Sequence, residues 1–264
     1  MSLVFAAITP HPPLLIPAIG KDLIKKIDKT KRALEKLEEE LYLSKPEIIC
    51  IISPHGRLYA DAFSLNLAKH FETNLTEFGD LTTKLRFKNA AVLAARVQRG
   101  SHQYKSCPVV TMTEKFLDHG SAVPLFYLTA HLPNIAILPI GFCDLDWKTH
   151  LEFGGLLKKM VIRTNKRVAI IASGDLSHAL QTDAPAGFNA AGPEFDAKIQ
   201  ELLATRNTTG LLNLDPSLIH AAAECGFRSF LILMGLLRDT HYTYESLSYE
   251  APFGVGYLTA NFAL

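Results

Sequence analysis

Four short runs rich in β-branched residues, Leu3–Thr9, Glu47–Ser53, Ile135–Gly141 and Arg167–Ser173, constrain this chain more than any other feature. Each is apolar and bounded by Pro, Gly or Asn, the signature of a strand buried on both faces. Stretches of helical periodicity lie between and after them, at Ile19–Tyr42, Trp147–Thr164 and Ala190–Thr205. Asp215-Pro216 reads as an N-cap followed by Pro in the first turn, opening a further long helix that the pattern carries to Leu237. Two final strands are expected at Tyr242–Glu250 and Val255–Phe262, joined by a turn at Pro252 and Gly254. Strands alternating with helices predict an α/β fold: a single three-layer α/β/α domain over residues 1–264 with a central, mostly parallel mixed sheet.

The composition agrees and narrows the function classes. Hydrophobic residues make up 48% and charged residues 20% of 264, so the chain can bury a large core and is not disordered. With 27 Lys+Arg against 26 Asp+Glu, no basic surface is available for phosphate backbones, and no nucleic-acid partner is expected. The run Phe230–Leu237, flanked by Arg228 and Arg238, is far short of the roughly 20 residues of a membrane span. The apolar start lacks a basic leader and reads as a strand, so no membrane partner and a cytoplasmic location are expected. The four cysteines are scattered without CxxC pairs, which predicts reduced thiols.

The histidines carry the functional signal. His11 follows the first expected strand in Thr9-Pro10-His11-Pro12-Pro13, His55 the second in Ser53-Pro54-His55-Gly56, and His178 the run ending at Ser173, in Gly174-Asp175-Leu176-Ser177-His178. Carboxyl ends of strands are where open α/β sheets build their sites. His119 stands before an apolar helix in Leu117-Asp118-His119-Gly120. Histidines arranged in this way serve metal ligation or proton transfer near neutral pH, and two His with one carboxylate hold non-haem Fe(II) with positions open for substrate and O₂. Glu224, alone in the apolar Ala221-Ala222-Ala223-Glu224-Cys225-Gly226, is the candidate acid, because an unpaired carboxylate there would be costly to bury. Glu245 and Glu250, both in the expected strand Tyr242–Glu250, are weaker candidates, and His220 with Glu224 at i,i+4 is a rival pair. No Gly-x-Ser-x-Gly elbow, P-loop or Gly-x-Gly-x-x-Gly cradle occurs, which argues against a serine hydrolase or nucleotide chemistry.

Four segments, Thr-Pro-His-Pro-Pro at 9–13, Ser-Pro-His-Gly at 53–56, Leu-Asp-His-Gly-Ser-Ala-Val-Pro-Leu at 117–125 and Gly-Asp-Leu-Ser-His at 174–178, resemble in order those of the LigB family. That family comprises catalytic B subunits of class III extradiol ring-cleavage dioxygenases and the related Memo-like proteins. The resemblance implies a mononuclear Fe(II) bound by His11, His55 and an acid from the late helix. It also implies His178 as acid/base on a small aromatic diol substrate, and His119 hydrogen-bonding bound oxygen. Asp118 and Asp175, beside these two histidines, are candidates for orienting them. Extradiol members carry Glu at the third ligand position and Memo-like members a Cys in a Cys-Gly pair. Glu224-Cys225-Gly226 satisfies either alignment. On one helix the two neighbours would point about 100° apart, and Glu224 is favoured because a hard carboxylate suits Fe(II) and O₂, with Cys225 as the alternative. The expected function is extradiol ring cleavage of a catechol-type substrate. Its rivals are a Memo-like metal- or ligand-binding protein without dioxygenase activity and a zinc-dependent hydrolase. A homo-oligomer or a small accessory subunit is compatible with either leading reading.

Overall fold

The computed structural model describes residues 2–103 and 107–264. The chain runs β1 (Leu3–Thr9), α1 (Pro17–Gly20), α2 (Asp28–Leu43), β2 (Ile48–Ser53), β3 (Phe63–Asn66), β4 (His70–Thr73), β5 (Arg86–Asn89) and α3 (Ala91–Gln103). It continues through β6 (Val109–Met112), β7 (Phe116–Leu117), α4 (His119–Leu128), β8 (Ala136–Gly141), α5 (Trp147–Ile162), β9 (Val168–Ser173) and α6 (Ala191–Ala204). The last elements are α7 (Thr208–Leu212), α8 (Pro216–Ala222), α9 (Phe227–Leu237), β10 (Thr243–Glu250) and β11 (Tyr257–Ala263).

These strands form one mixed sheet in the order β10-β11-β1-β9-β2-β8-β5-β4-β7, with β3 on β8 and β6 on β3. The centre, β1-β9-β2-β8, is parallel. Its period-two side chains divide the core into two. Ala6, Ile8, Cys50, Ile52, Ile170 and Ala172 face a layer built from α3, α5, α6 and α9. Phe5, Ala7, Ile49, Ile51, Ala169 and Ile171 face α2 and α4. Because neighbouring strand residues point to opposite faces, these strands must be apolar at every position, and each large side chain so buried contributes about 1.5–3 kcal/mol. The expected three-layer arrangement is therefore present. Among the described residues no helix is long and apolar enough to cross a membrane.

Register sets the site. Thr9 pairs with Ser173, Ile52 with Ala172 and Ser53 with Gly141. β1, β2 and β9 thus end at one level, and the loops that follow them open on the same edge of the sheet.

Two segments differ from expectation. The stretch 19–42 enters its α-helix only at Asp28, after a 3-10 turn over Lys21–Ile27. The helix expected from Pro216 to Leu237 is two helices: Ala223 turns left-handed (φ 53°) and ends α8, and α9 restarts at Phe227. A continuous helix would have driven residues 223–226 along the sheet face. The break turns them back toward the strand ends instead.

Candidate metal centre

Prolines on both sides of His11 stop β1 and hold the residue at the strand end, where its N–H donates to Asp175 Oδ1 (2.9 Å). The imidazole is buried, and Ser173 Oγ lies 2.9 Å from its Nδ1. Ser173 spends its own hydrogen on the Gly120 carbonyl (2.5 Å), so Nδ1 must be the protonated nitrogen of His11. Its Nε2 is left with a lone pair aimed at Nε2 of His55, 2.9 Å away, and toward Sγ of Cys225, 3.6 Å away. Burial, reinforced by the neighbouring histidines, holds the His11 pKa well below the usual imidazole range and keeps the ring neutral.

His55 leaves β2 two residues beyond Ser53 and donates its N–H to that hydroxyl (3.3 Å). The protein around its ring, with His119 next in importance, lowers its pKa to about 4, although part of the residue reaches solvent. His119 stacks on it, ring centroids 4.1 Å apart, and meets Phe78 edge-on at 5.0 Å. His119 is the first residue of α4. Asp118 caps that helix by accepting from Ser121 N–H (2.9 Å) and also bonds the Ser53 hydroxyl. Asp118 is thus both cap and tether, tying α4 to the end of β2.

Cys225 arrives through the turn between α8 and α9. The Asp175 carbonyl accepts from the N–H groups of Cys225 (3.4 Å) and Gly226 (3.0 Å), and Asp175 N–H lies 3.3 Å from Sγ. On the other side, the Ala222 carbonyl accepts from His178 N–H (3.0 Å) and Ser177 Oγ (2.8 Å). Gly174 and Gly226 touch through their backbones, since a Cβ on Gly174 would stand 2.1 Å from the Gly226 Cα. This lacing fixes Sγ against the two imidazoles.

His11, His55 and Cys225 each offer a ligand atom within 4.8 Å of the other two, and Asp175, His178 and Cys225 form a second such set. The orphaned, buried Nε2 of His178 has no protein partner among the described residues. Burial lifts the Asp175 carboxyl to about 7 against the pull of the His11 N–H, and pushes the Cys225 thiol up. Coordination by a cation would reverse both directions.

The structure does not bring Glu224 to this group. Its Oε2 accepts from Phe227 N–H (2.6 Å), capping α9, and its surroundings are Arg228 and Asp196. Burial lifts its carboxyl to about 7. The broken helix is the reason: residues 224 and 225 lie in a turn, so the side chain expected to meet the histidines meets a helix end and its neighbour takes the place. The weaker candidates also lie elsewhere. Glu245 pairs with Lys36 (2.7 Å), Glu250 accepts from Thr30 N–H and Oγ1 (2.7 Å each), and His220 is exposed on α8.

Sequence reasoning passed over Ser53 and Ser173, which orient the site, and Tyr257, buried beside Asp175. Both serines are the last residues of their strands, and that position was the available signal.

Two imidazole nitrogens bound at about 2.1 Å to one tetrahedral ion stand about 3.4 Å apart, so the His11 and His55 nitrogens, 2.9 Å apart, need to spread by only about 0.5 Å to share one. The donor set fits a metal ion. Two imidazoles and a thiolate suit zinc or copper better than the two-His, one-carboxylate pattern of O₂-activating iron.

The family model described as the catalytic LigB subunit of aromatic ring-opening dioxygenase matches residues 5–260. The chain belongs to the LigB family. It is 31% identical over 265 residues to a Clostridium acetobutylicum protein whose name is a locus designation, covering 97% of this chain but 57% of that protein. It is 27% identical over 283 residues to the 2-aminophenol 1,6-dioxygenase alpha subunit of a Pseudomonas species, over the full length of both. The crystal structure of an uncharacterized Escherichia coli K12 protein superposes with a TM-score of 0.63 at 17% identity, covering 98% of this chain and 99% of that one. At that identity the likeness speaks to fold alone. The four LigB-like segments thus lie within a family-wide match, and all four supply side chains to one cluster: His11, His55, His119, and Asp175 with His178.

Proposed function

We propose that this LigB-family protein is Memo-like: His11, His55 and Cys225 hold a metal ion, and the adjoining cavity admits a small ring compound with vicinal hydroxyl or amino groups without cleaving it. The observation that carries this reading is the Sγ of Cys225 beside the His11 ring nitrogen, in the position where ring cleavage calls for Glu224. A bound soft metal would supply a Lewis-acidic point for the ligand's donor atoms. The chain's own part is to keep His11 and His55 neutral, to orient His11 through Ser173, and to wall the ligand with the His119 ring.

A second reading, Fe(II)-dependent extradiol cleavage with O₂, is favoured by two further observations. His119 and His178 flank the group, and burial holds both in the neutral, proton-accepting form. The full-length similarity to an aminophenol dioxygenase subunit adds to this. The hard oxygen that iron would need is then at Asp175, whose Oδ2 lies 3.8 Å from His11 Nε2. Because that relative is named as one subunit, an accessory chain or a second copy is a partner to test in either case.

Metal analysis of protein purified without added metal, followed by anaerobic Fe(II) loading and oxygen-electrode assays with catechol and 2-aminophenol, separates the readings. The Memo-like reading expects zinc or copper near one equivalent, a Cys225 thiol protected from alkylation, and no O₂ uptake. Stoichiometric O₂ consumption with a ring-opened product would overturn it.

A further inference from the structure

A cavity of about 360 Å³ opens beside the metal group, walled by His55, His119, the β8 end at Pro139–Gly141 and the apolar Met112 and Phe116. This is at the small end of ligand cavities, about 300–1,000 Å³, and suits a single ring. Its charged lining is uneven. One cation, Arg57, faces three carboxylates, Glu77, Glu114 and Asp118.

These groups are not equally available. Asp118 is occupied by Ser53 and by the N–H and hydroxyl of Ser121. Arg57 is engaged by Glu114 at 3.6 Å and leans over the Tyr59 ring. Glu77, in the short turn Thr76–Phe78 that also brings Phe78 onto His119, has no ion pair or side-chain hydrogen bond among the described residues, and its charge reaches the His55 ring. The cavity reaches the metal group at His55, so a ring whose vicinal donors bind a metal held by His11, His55 and Cys225 sends its remaining substituent among these charges. An anionic substituent would have to part Arg57 from Glu114 and leave a carboxylate unpaired next to Glu77. A cationic one meets Glu77 as it stands.

We infer that this cavity selects ring ligands bearing a cationic side chain, with Glu77 as its counter-charge. The inference rests on the ligand-binding role proposed above and adds the charge class of the ligand. Exposed ion pairs of this kind contribute up to about 1 kcal/mol, so a preference of roughly fivefold is expected, weakening as salt rises.

The test is calorimetric titration of zinc-loaded, full-length protein with three catechols that differ in one substituent: dopamine (cationic), 4-methylcatechol (neutral) and 3,4-dihydroxyphenylacetate (anionic). Dopamine should bind about fivefold tighter than 4-methylcatechol and the anion weaker than both, and Glu77→Gln should bring the dopamine to methylcatechol ratio close to one. Equal affinities, a persistent ratio in Glu77→Gln, or tighter binding of the anion through Arg57 would overturn the charge inference while leaving the ligand-binding role standing. Failure of all three catechols to bind would instead remove that role, and the charge inference with it.

Discussion

The strand-end histidines and the α8–α9 turn reach the same cluster by different physics. His11 is placed by hydrogen-bonded β-strands whose parallel register leaves little freedom, and its neighbours Pro10 and Pro12 are sequence-local instructions to stop. Cys225 is placed by contacts distant in sequence: the carbonyl of Asp175, the glycine contact with Gly174 and a left-handed Ala223. The first kind of placement is written where it is used. The second is a property of packing, and it decides which of two adjacent residues faces the histidines.

The largest effect that could break this contrast is on metal affinity. His11→Ala and Cys225→Ser should each weaken zinc binding by about 1,000-fold or about 4 kcal/mol, beyond the roughly 10–100-fold that losing a ligand's supporting partner costs. Glu224→Gln should stay within about threefold, and competition titration with a chelator measures all three. If Glu224→Gln loses the metal and Cys225→Ser keeps it, the two sides of the turn have been read the wrong way round.

Next in size, Gly174→Ala forces a Cβ to 2.1 Å from the Gly226 Cα, and the turn must move off the strand end. Overpacking of this order costs about 3 kcal/mol. Urea denaturation should show that loss together with weakened metal binding, whereas an unaltered variant would mean the turn is not pinned there.

Asp196 sharpens the comparison through pH. It is buried under the His178 loop, accepting from Ser177 N–H (2.8 Å) and Tyr249 Oη (2.7 Å), and burial lifts its pKa to about 6 against those two donors. With a folded pKa above the unfolded one, the native state holds more protons through the interval from about 4 to 6. Asp196 therefore favours folding most at the acid end, and its contribution falls as pH rises to 6, by at most about 3 kcal/mol. Asp196→Asn should flatten that slope of unfolding free energy against pH. An identical slope in the variant would show that Asp196 does not carry it.

The smallest effect belongs to the hinge. Ala223 sits at φ 53°, where glycine has no Cβ penalty, so Ala223→Gly should raise stability by about 0.5 kcal/mol, read as a shift in the denaturation midpoint. A clear loss would mean that the left-handed residue is not strained.

Legibility in the sequence followed the same division. The four central strands, the two closing strands and helices α5 and α6 fall within a few residues of expectation, because the strands are runs bounded by turn residues and the helices are long enough to repeat their period several times. The strands between residues 63 and 117 held no such signal, whereas α3 (Ala91–Gln103) did, with Leu93, Ala94 and Val97 on one helix face, and it was passed over. Phe63–Asn66, His70–Thr73 and Phe116–Leu117 are two to four residues long, give at most two side chains to each face, and exist because partner strands are present to pair with. His55 and Asp118 were legible from their motifs, whereas Ser53 joining them through one hydroxyl was not.

By itself the sequence determined the three-layer α/β plan, the strand ends where chemistry is built, and the histidines that stand there, since hydrophobic period and proline stops act over a few residues. Only the tertiary structure decided that Glu224 caps α9 while Cys225 joins His11 and His55. The apolar run from Ile219 to Leu237 reads as unbroken helix until the Asp175 carbonyl and the Gly174 backbone, some fifty residues upstream, bend it.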